Sequence, residues 1–99
     1  MHRNQGFLDL RSYPFDLQSD LEAQVELLLD RFLRPYLQSK NFRGTAVILV
    51  GRGLNSQRYI QGKNPLRYYT EQYLLRLGLS FANASVNQGG EGAIKVSFY

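Results

Sequence analysis

Two short stretches carry residue types that could act on a phosphodiester. The first is Leu8-Asp9-Leu10-Arg11. A carboxylate at Asp9 could orient water or a metal ion beside a phosphodiester. The Arg11 guanidinium could then stabilise charge on the transition-state phosphorane. The plainer reading of the same spacing is a charge pair of Asp9 with Arg11, or a loop cap. The second stretch is Val47-Ile48-Leu49-Val50-Gly51-Arg52-Gly53, an apolar run that enters a Gly-Arg-Gly turn. Glycine lets the backbone turn sharply or approach a ligand where a Cβ would clash, and Arg52 brings a planar guanidinium suited to phosphate. No Gly-Lys-Ser/Thr follows, so the turn is not a P-loop. Ser56 stands where a dinucleotide fingerprint needs its third glycine.

Charge points to the same kind of partner. Lys and Arg number twelve against eight Asp and Glu in 99 residues. From Arg31 to Thr70 there is no acidic residue, and the stretch carries Arg31, Arg34, Lys40, Arg43, Arg52, Arg58, Lys63 and Arg67. Such asymmetry suggests a polyanion, against a plain solvated basic surface. Tyr59, Tyr68 and Tyr69 flank the basic loop, where tyrosine beside arginine can stack on unpaired bases; at least one of Tyr68 and Tyr69 is expected in the core instead. Glu22, Glu26 and Asp30, spaced by four, read as a solvated acidic stripe rather than a metal site. The chain has no cysteine and its one histidine is His2. Thiolate metal sites, disulfides and internal histidine catalysis are therefore excluded. No apolar run approaches the ~20 residues needed to cross a bilayer, and no signal peptide is visible. An intracellular domain with no membrane partner is expected. The sequon Asn83-Ala84-Ser85 is discounted accordingly.

These residues need elements to hold them. Met1 to Gln5 reads as a disordered tail and residues 6–99 as one domain. Gly6 to Arg11 reads as a strand, and Ser12 to Gln18 as a loop around Pro14. Ser19-Asp20-Leu21-Glu22 fits a capping box with Ser19 as the cap. The helix that follows has an apolar stripe of Leu21, Val25, Leu28, Leu29, Phe32, Leu33, Tyr36 and Leu37. Pro35 is expected to kink it or end it near Arg34. Thr45 to Val50 is a buried strand and Arg52 to Lys63 a polar loop. Asn64 and Pro65 open a second helix as N-cap and N1, with Leu66, Tyr69, Tyr73, Leu74 and Leu77 buried and Gly78 as its stop. Leu79 to Val86 reads as a strand, Asn87 to Gly90 as a turn, and Ala93 to Tyr99 as an alternating strand.

The order is βαβαββ: one α/β two-layer sandwich, a four-stranded mixed sheet with two helices. The first three strands should run the same way through right-handed crossovers, and the last should pair antiparallel with the third. Ligands of such sheets sit beyond the carboxyl ends of the parallel strands. That edge gathers Asp9 and Arg11, Gly51 to Gly53, the Gln88 to Gly90 turn and both helix N-termini, which favour anions.

In order and spacing these pieces resemble the Smr domain, the small MutS-related module. The pieces are Leu8-Asp9-Leu10-Arg11, Glu22-Ala23 near the start of a long helix, a buried strand into Gly51-Arg52-Gly53, then Ser56 and Gly62. Pro65-Leu66-Arg67 opens a helix ending in Tyr73-Leu74, and Gly89-Gly90-Glu91-Gly92-Ala93 leads into Val96. The resemblance spans Leu8 to the C-terminus. It implies two helices on a four-stranded sheet, as in the C-terminal domain of bacterial translation initiation factor three. It also implies nucleic-acid binding and, as in many members, endonuclease activity on RNA or on branched or nicked DNA. The family's first motif is usually Asp-Leu-His, and Arg11 here resembles the form in the MutS-like lineage. The second is usually His-Gly-X-Gly or Thr-Gly-X-Gly, and Val50 replaces its polar residue. The glycine that commonly follows the first motif is missing, and the loop from Ser12 to Asp20 is long. The expected roles are hydrolytic for Asp9 and Arg11, and nucleic-acid binding for Gly51, Arg52, Gly53, Ser56, Arg58, Lys63, Arg67, Gly89 and Gly90. The expected partner is RNA or DNA. The expected setting is a larger polypeptide, the isolated domain being monomeric. No cofactor is assigned, and Mg²⁺ or Mn²⁺ enters only for a nuclease; a catalytically inactive binding or protein-interaction module is the alternative.

Overall fold

Alternation along the strands decides which residues meet the helices. The structure is a computed structural model, and it describes residues 6–16, 18–39, 41–51, 64–84 and 90–98. In chain order these are β1 (Gly6–Asp9), α1 (Leu21–Gln38), β2 (Gly44–Leu49), α2 (Pro65–Leu77), β3 (Ser80–Asn83) and β4 (Ala93–Phe98), with a 3-10 turn over Gly90–Gly92 before β4. Ala46, Ile48 and Val50 share one face of the sheet with Ile94, Val96 and Phe98, and there they meet Val25, Leu29 and Leu33 of α1 and Leu74 of α2. Residues of the other parity, Val47, Leu49 and Ala93, gather with Ala84 in a second buried cluster on the opposite face. Both helices thus lie on one layer, as two successive right-handed crossovers in one direction require. Each large apolar side chain in that layer contributes roughly 1.5–3 kcal/mol by leaving water.

The sheet order is β1-β2-β4-β3. β1 and β2 are parallel. β4 is antiparallel to both β2 and β3. The first three strands therefore run the same way, and the last pairs antiparallel with the third, as the connections imply. The crossover from β2 to β3 leaves one strand's width between them, and β4 fills it.

Several local expectations need correction. The cap of α1 is Asp20, whose carboxylate accepts from the Ala23 N–H. Ser19 instead donates its hydroxyl to Asp16 Oδ2 at 2.8 Å, so the expected capping box does not form. Pro35 does not end α1, which runs on to Gln38. Proline deprives only the Arg31 carbonyl of its donor, and both residues are on the exposed side, where water can take that role. The final turn is held by Tyr36, packed against Phe32, Phe42 and Phe98. Leu37 and Leu77, expected inside, are 46% and 39% exposed, while Thr70 and Glu71 are buried. β1 and β3 are shorter than expected, ending at Asp9 and Asn83. The loop after β1 is folded onto α1: the Gln24 side chain accepts from the Asp16 N–H and donates to the Asp16 carbonyl, each at 2.8 Å.

Candidate functional site at the carboxyl edge of the sheet

β1 ends at Asp9, and the chain turns back on that side chain. The Arg11 backbone N–H donates to Asp9 Oδ1 at 2.9 Å. Its guanidinium donates through Nε to Oδ1 at 3.0 Å and through Nη2 to Oδ2 at 3.1 Å. Both carboxylate oxygens are thus held by one planar fork, the strong geometry for such pairs. The Arg11 hydrogen bond keeps the Asp9 carboxyl below the usual carboxylate range. The same bond raises the ionisation of Arg11. The plainer of the two readings of Asp9, a charge pair with Arg11, is therefore realised. A carboxylate so placed is a weak proton acceptor.

The Gly51 turn lies against this pair. A Cβ built on Gly51 would sit 3.4 Å from both Cγ and Cδ of Arg11. Gly51 has φ +80°, a left-handed value that glycine adopts without strain. Its N–H donates to the Gly92 carbonyl at 2.9 Å, and the Val50 N–H shares that acceptor at 2.8 Å. The turn before β4, with Gly90 at its start, is thereby tied to the end of β2. The Gly51 carbonyl accepts from Asn64 Nδ2 at 3.0 Å. Val50 is buried in the core at 2% exposure.

The two helix N-termini differ. That of α1 is occupied by acid: Asp20 caps it and Glu22 lies in its first turn. Asp16, held below the usual carboxylate range by the Ser19 hydroxyl and the Gln18 N–H, stands just before it. That end repels an anion. The start of α2 has Asn64 as cap, Pro65 behind it and no acid in the first turn, so the dipole there is not offset by a carboxylate.

Arg67 has another task than an open phosphate contact. Its Nε donates to Glu71 Oε2 at 2.9 Å, and its Nη2 donates to Asn83 Oδ1. The Arg67 and Glu71 side chains are only 18% and 9% exposed. The guanidinium fastens α2 to the end of β3.

Asp9, Arg11, Gly51 and Gly90 are thus gathered at one edge, as topology suggests, with Arg67 on the same edge but turned into the fold. Arg52, Gly53, Ser56, Arg58, Lys63 and Gly89 lie outside the described residues, as does Tyr59. Tyr69 packs against the core, and Tyr68 meets its ring at 5.7 Å. In the acidic stripe of α1, Glu26 pairs with Arg76 and Asp30 with Arg34. Among the described residues no three metal-ligating side chains cluster. Asp9, with both oxygens on a guanidinium, does not fit a divalent cation. Tyr73 is no substitute base at this edge: it packs under Arg76, and burial, then Asp30 and Glu26, push its hydroxyl ionisation up. No helix among the described residues is long and apolar enough to cross a membrane. Sequence reasoning reads Asn64 only as a cap and Gly92 only as part of a turn. Their bonds to Gly51 join positions far apart in the chain, and no local signal reports them.

No family model matches the sequence, and neither a characterised protein nor a solved structure matches it significantly.

Proposed function

We propose that the chain is a nucleic-acid-binding domain of the Smr kind that meets phosphates at the carboxyl edge of its sheet. The observation that carries this reading is the meeting of Arg11, Gly51 and the acid-free start of α2 at the point where the basic stretch departs. Residues 52–63 hold Arg52, Arg58 and Lys63 and no acid. Elsewhere Arg11, Arg34, Arg67 and Arg76 each pair with a carboxylate. Arg52, Arg58 and Lys63 make the phosphate contacts. Gly51, Gly53, Gly89 and Gly90 let backbone approach, and Ser56 supplies a hydroxyl. The partner is RNA or DNA, and the domain is part of a larger intracellular polypeptide.

Binding to labelled single-stranded RNA should weaken with salt, with a log–log slope near −0.7 per phosphate contact. Arg52→Ala should weaken it further without changing the fold. A salt-independent interaction would point to a protein partner instead. The second reading, phosphodiester hydrolysis, is favoured by one feature: an ionised carboxylate and a guanidinium side by side against the glycine turn. It requires Asp9 to give up Arg11 before it can orient water. Incubation with structured RNA and with nicked or branched DNA, with and without Mg²⁺ or Mn²⁺, tests it. Intact substrates, or an Asp9→Ala variant that cuts as fast as wild type, remove it.

A further inference from the structure

At the amino end of the parallel strands the packing leaves a cleft of about 210 Å³. It lies where α1 and α2 end, where β2 and β3 begin and where β4 finishes. Tyr36, Leu37, Phe42, Leu79 and Phe98 give it an apolar wall. The rings brace one another: Tyr36 stacks on Phe98, and Phe42 lies 5.0 Å from Tyr36 and edge-on to Phe98. A wall fixed in this way is organised before any ligand arrives. Leu37, left 46% exposed at the end of α1, is part of it. Among the described residues one formal charge lines the cleft, that of Arg43. Its Nη1 donates to the Phe42 carbonyl at 3.1 Å, which ties the guanidinium to the backbone of a wall residue. Among the described residues no carboxylate pairs with it, in contrast to Arg11, Arg34, Arg67 and Arg76. The other N–H groups of the fork are therefore unclaimed.

We infer that this cleft is a binding site for a small monocarboxylate with an apolar body of about one ring. The inference stands apart from the proposed nucleic-acid binding, which concerns the opposite end of the sheet. Volume sets the size. An apolar cavity of about 150 Å³ takes up benzene, so this cleft has room for a ring and a carboxylate beside it. It falls short of the roughly 300–1,000 Å³ of sites for drug-sized ligands. Arg43 sets the sign of the charge, since a planar guanidinium matches a carboxylate through two parallel hydrogen bonds. The helix ends set its magnitude. Both helices finish here, α1 with no basic residue in its last turn, and helix C-termini carry partial negative charge. A phosphate monoester, with nearly two charges, meets more of that repulsion than a carboxylate does.

Titration of the isotope-labelled full chain with phenylpropionate, followed by amide NMR shifts, reads the site directly. Saturable shifts should appear at Phe42, Arg43, Leu79 and Phe98, with a dissociation constant on the order of 1 mM, while Gly51 at the other end stays still. Phenylpropionamide, the neutral isostere, should bind about tenfold more weakly, as loss of a charged hydrogen bond implies. Arg43→Gln should weaken binding of the acid by a similar factor and leave binding of the amide unchanged. Arg43 is exposed, so this variant should keep the wild-type melting temperature, and the amide makes the same comparison without altering the protein. Phenyl phosphate should bind more weakly than the acid. Absence of saturable shifts in the millimolar range, or shifts centred away from the cleft, overturns the site. An amide that binds as tightly as the acid overturns the role of Arg43, and so does an Arg43→Gln variant that binds the acid like wild type. A phosphate that binds more tightly than the carboxylate overturns the assignment of a single charge.

Discussion

At the amino end of β2 the molecule is closed by rings. Tyr36 stacks on Phe98 with centroids 5.1 Å apart, and Phe42 meets Phe98 edge-on at 5.5 Å. β1 passes so close beneath them that a Cβ on Gly6 would lie 1.8 Å from Tyr36 Oη. At the carboxyl end the closure is made of directed hydrogen bonds: Arg11 to Asp9, Gly51 to Gly92, Asn64 to Gly51, Arg67 to Glu71 and Asn83. Ring packing is tolerant of direction, and the cavity it leaves at this end, about 210 Å³, is lined largely by Tyr36, Phe42, Leu79 and Phe98. A hydrogen-bonded edge is costlier to assemble, since each group must find its partner or lose about 1–3 kcal/mol. What it offers in return is a set of polar groups in fixed places. The difference separates an end closed by ring contacts from an end closed by directed polar groups.

Three substitutions probe that division, the largest effect first. Phe98→Ala should cost about 3 kcal/mol of stability, within the usual range for a buried phenylalanine, because Phe98 is 6% exposed and central to the ring cluster. RNA affinity of the folded protein, measured below its melting temperature, should match wild type; a matching loss of affinity would erase the contrast between the ends. Arg67→Ala should cost about 2 kcal/mol by urea unfolding, since it strips charged hydrogen bonds from a nearly buried Glu71. A change in the salt slope of binding by one contact, with stability intact, would instead make Arg67 a phosphate ligand. Asp9→Asn should be the mildest, below about 1 kcal/mol, because Arg11 and Asp9 are 53% and 29% exposed and water screens the pair. Its pH dependence has a definite sign. The folded carboxyl is lowered, so the wild-type advantage is full above the unfolded value of about 3.9 and fades as pH falls through the folded value. Melting curves of both proteins across the acid range would show the gap close; a gap that widens in acid would contradict the pair.

Where the sequence was readable, the physics was local. Asn64-Pro65 and Gly78 mark the ends of α2 because capping and left-handed backbone are properties of those residues themselves; Gly78 has φ +73°. The alternation of Ile94, Val96 and Phe98 reads directly as one face of β4. The misreadings share a cause in tertiary contacts. Pro35 has a local tendency to stop a helix, and the Tyr36 ring contacts outweigh it. Leu77 has the period of a buried residue, while Glu71 is drawn inside by Arg67 on the β3 side of α2, which periodicity cannot see. At the site, glycines and charges were visible as types. That Arg11 would spend itself on Asp9, and Arg67 on Glu71 and Asn83, depends on distances that only the folded chain sets.

The place of β4 also makes the sheet depend on the end of the chain. β1, α1 and β2 are contiguous in sequence. Among the described residues β3 pairs with β4 alone, although it comes before it in the chain. The parallel pair β1-β2 and the strand β3 are therefore joined into one sheet through the final strand. The carboxyl edge shares that dependence: the Gly92 carbonyl that holds Gly51 comes just before β4, so the last stretch of the chain helps to set the turn at the end of β2.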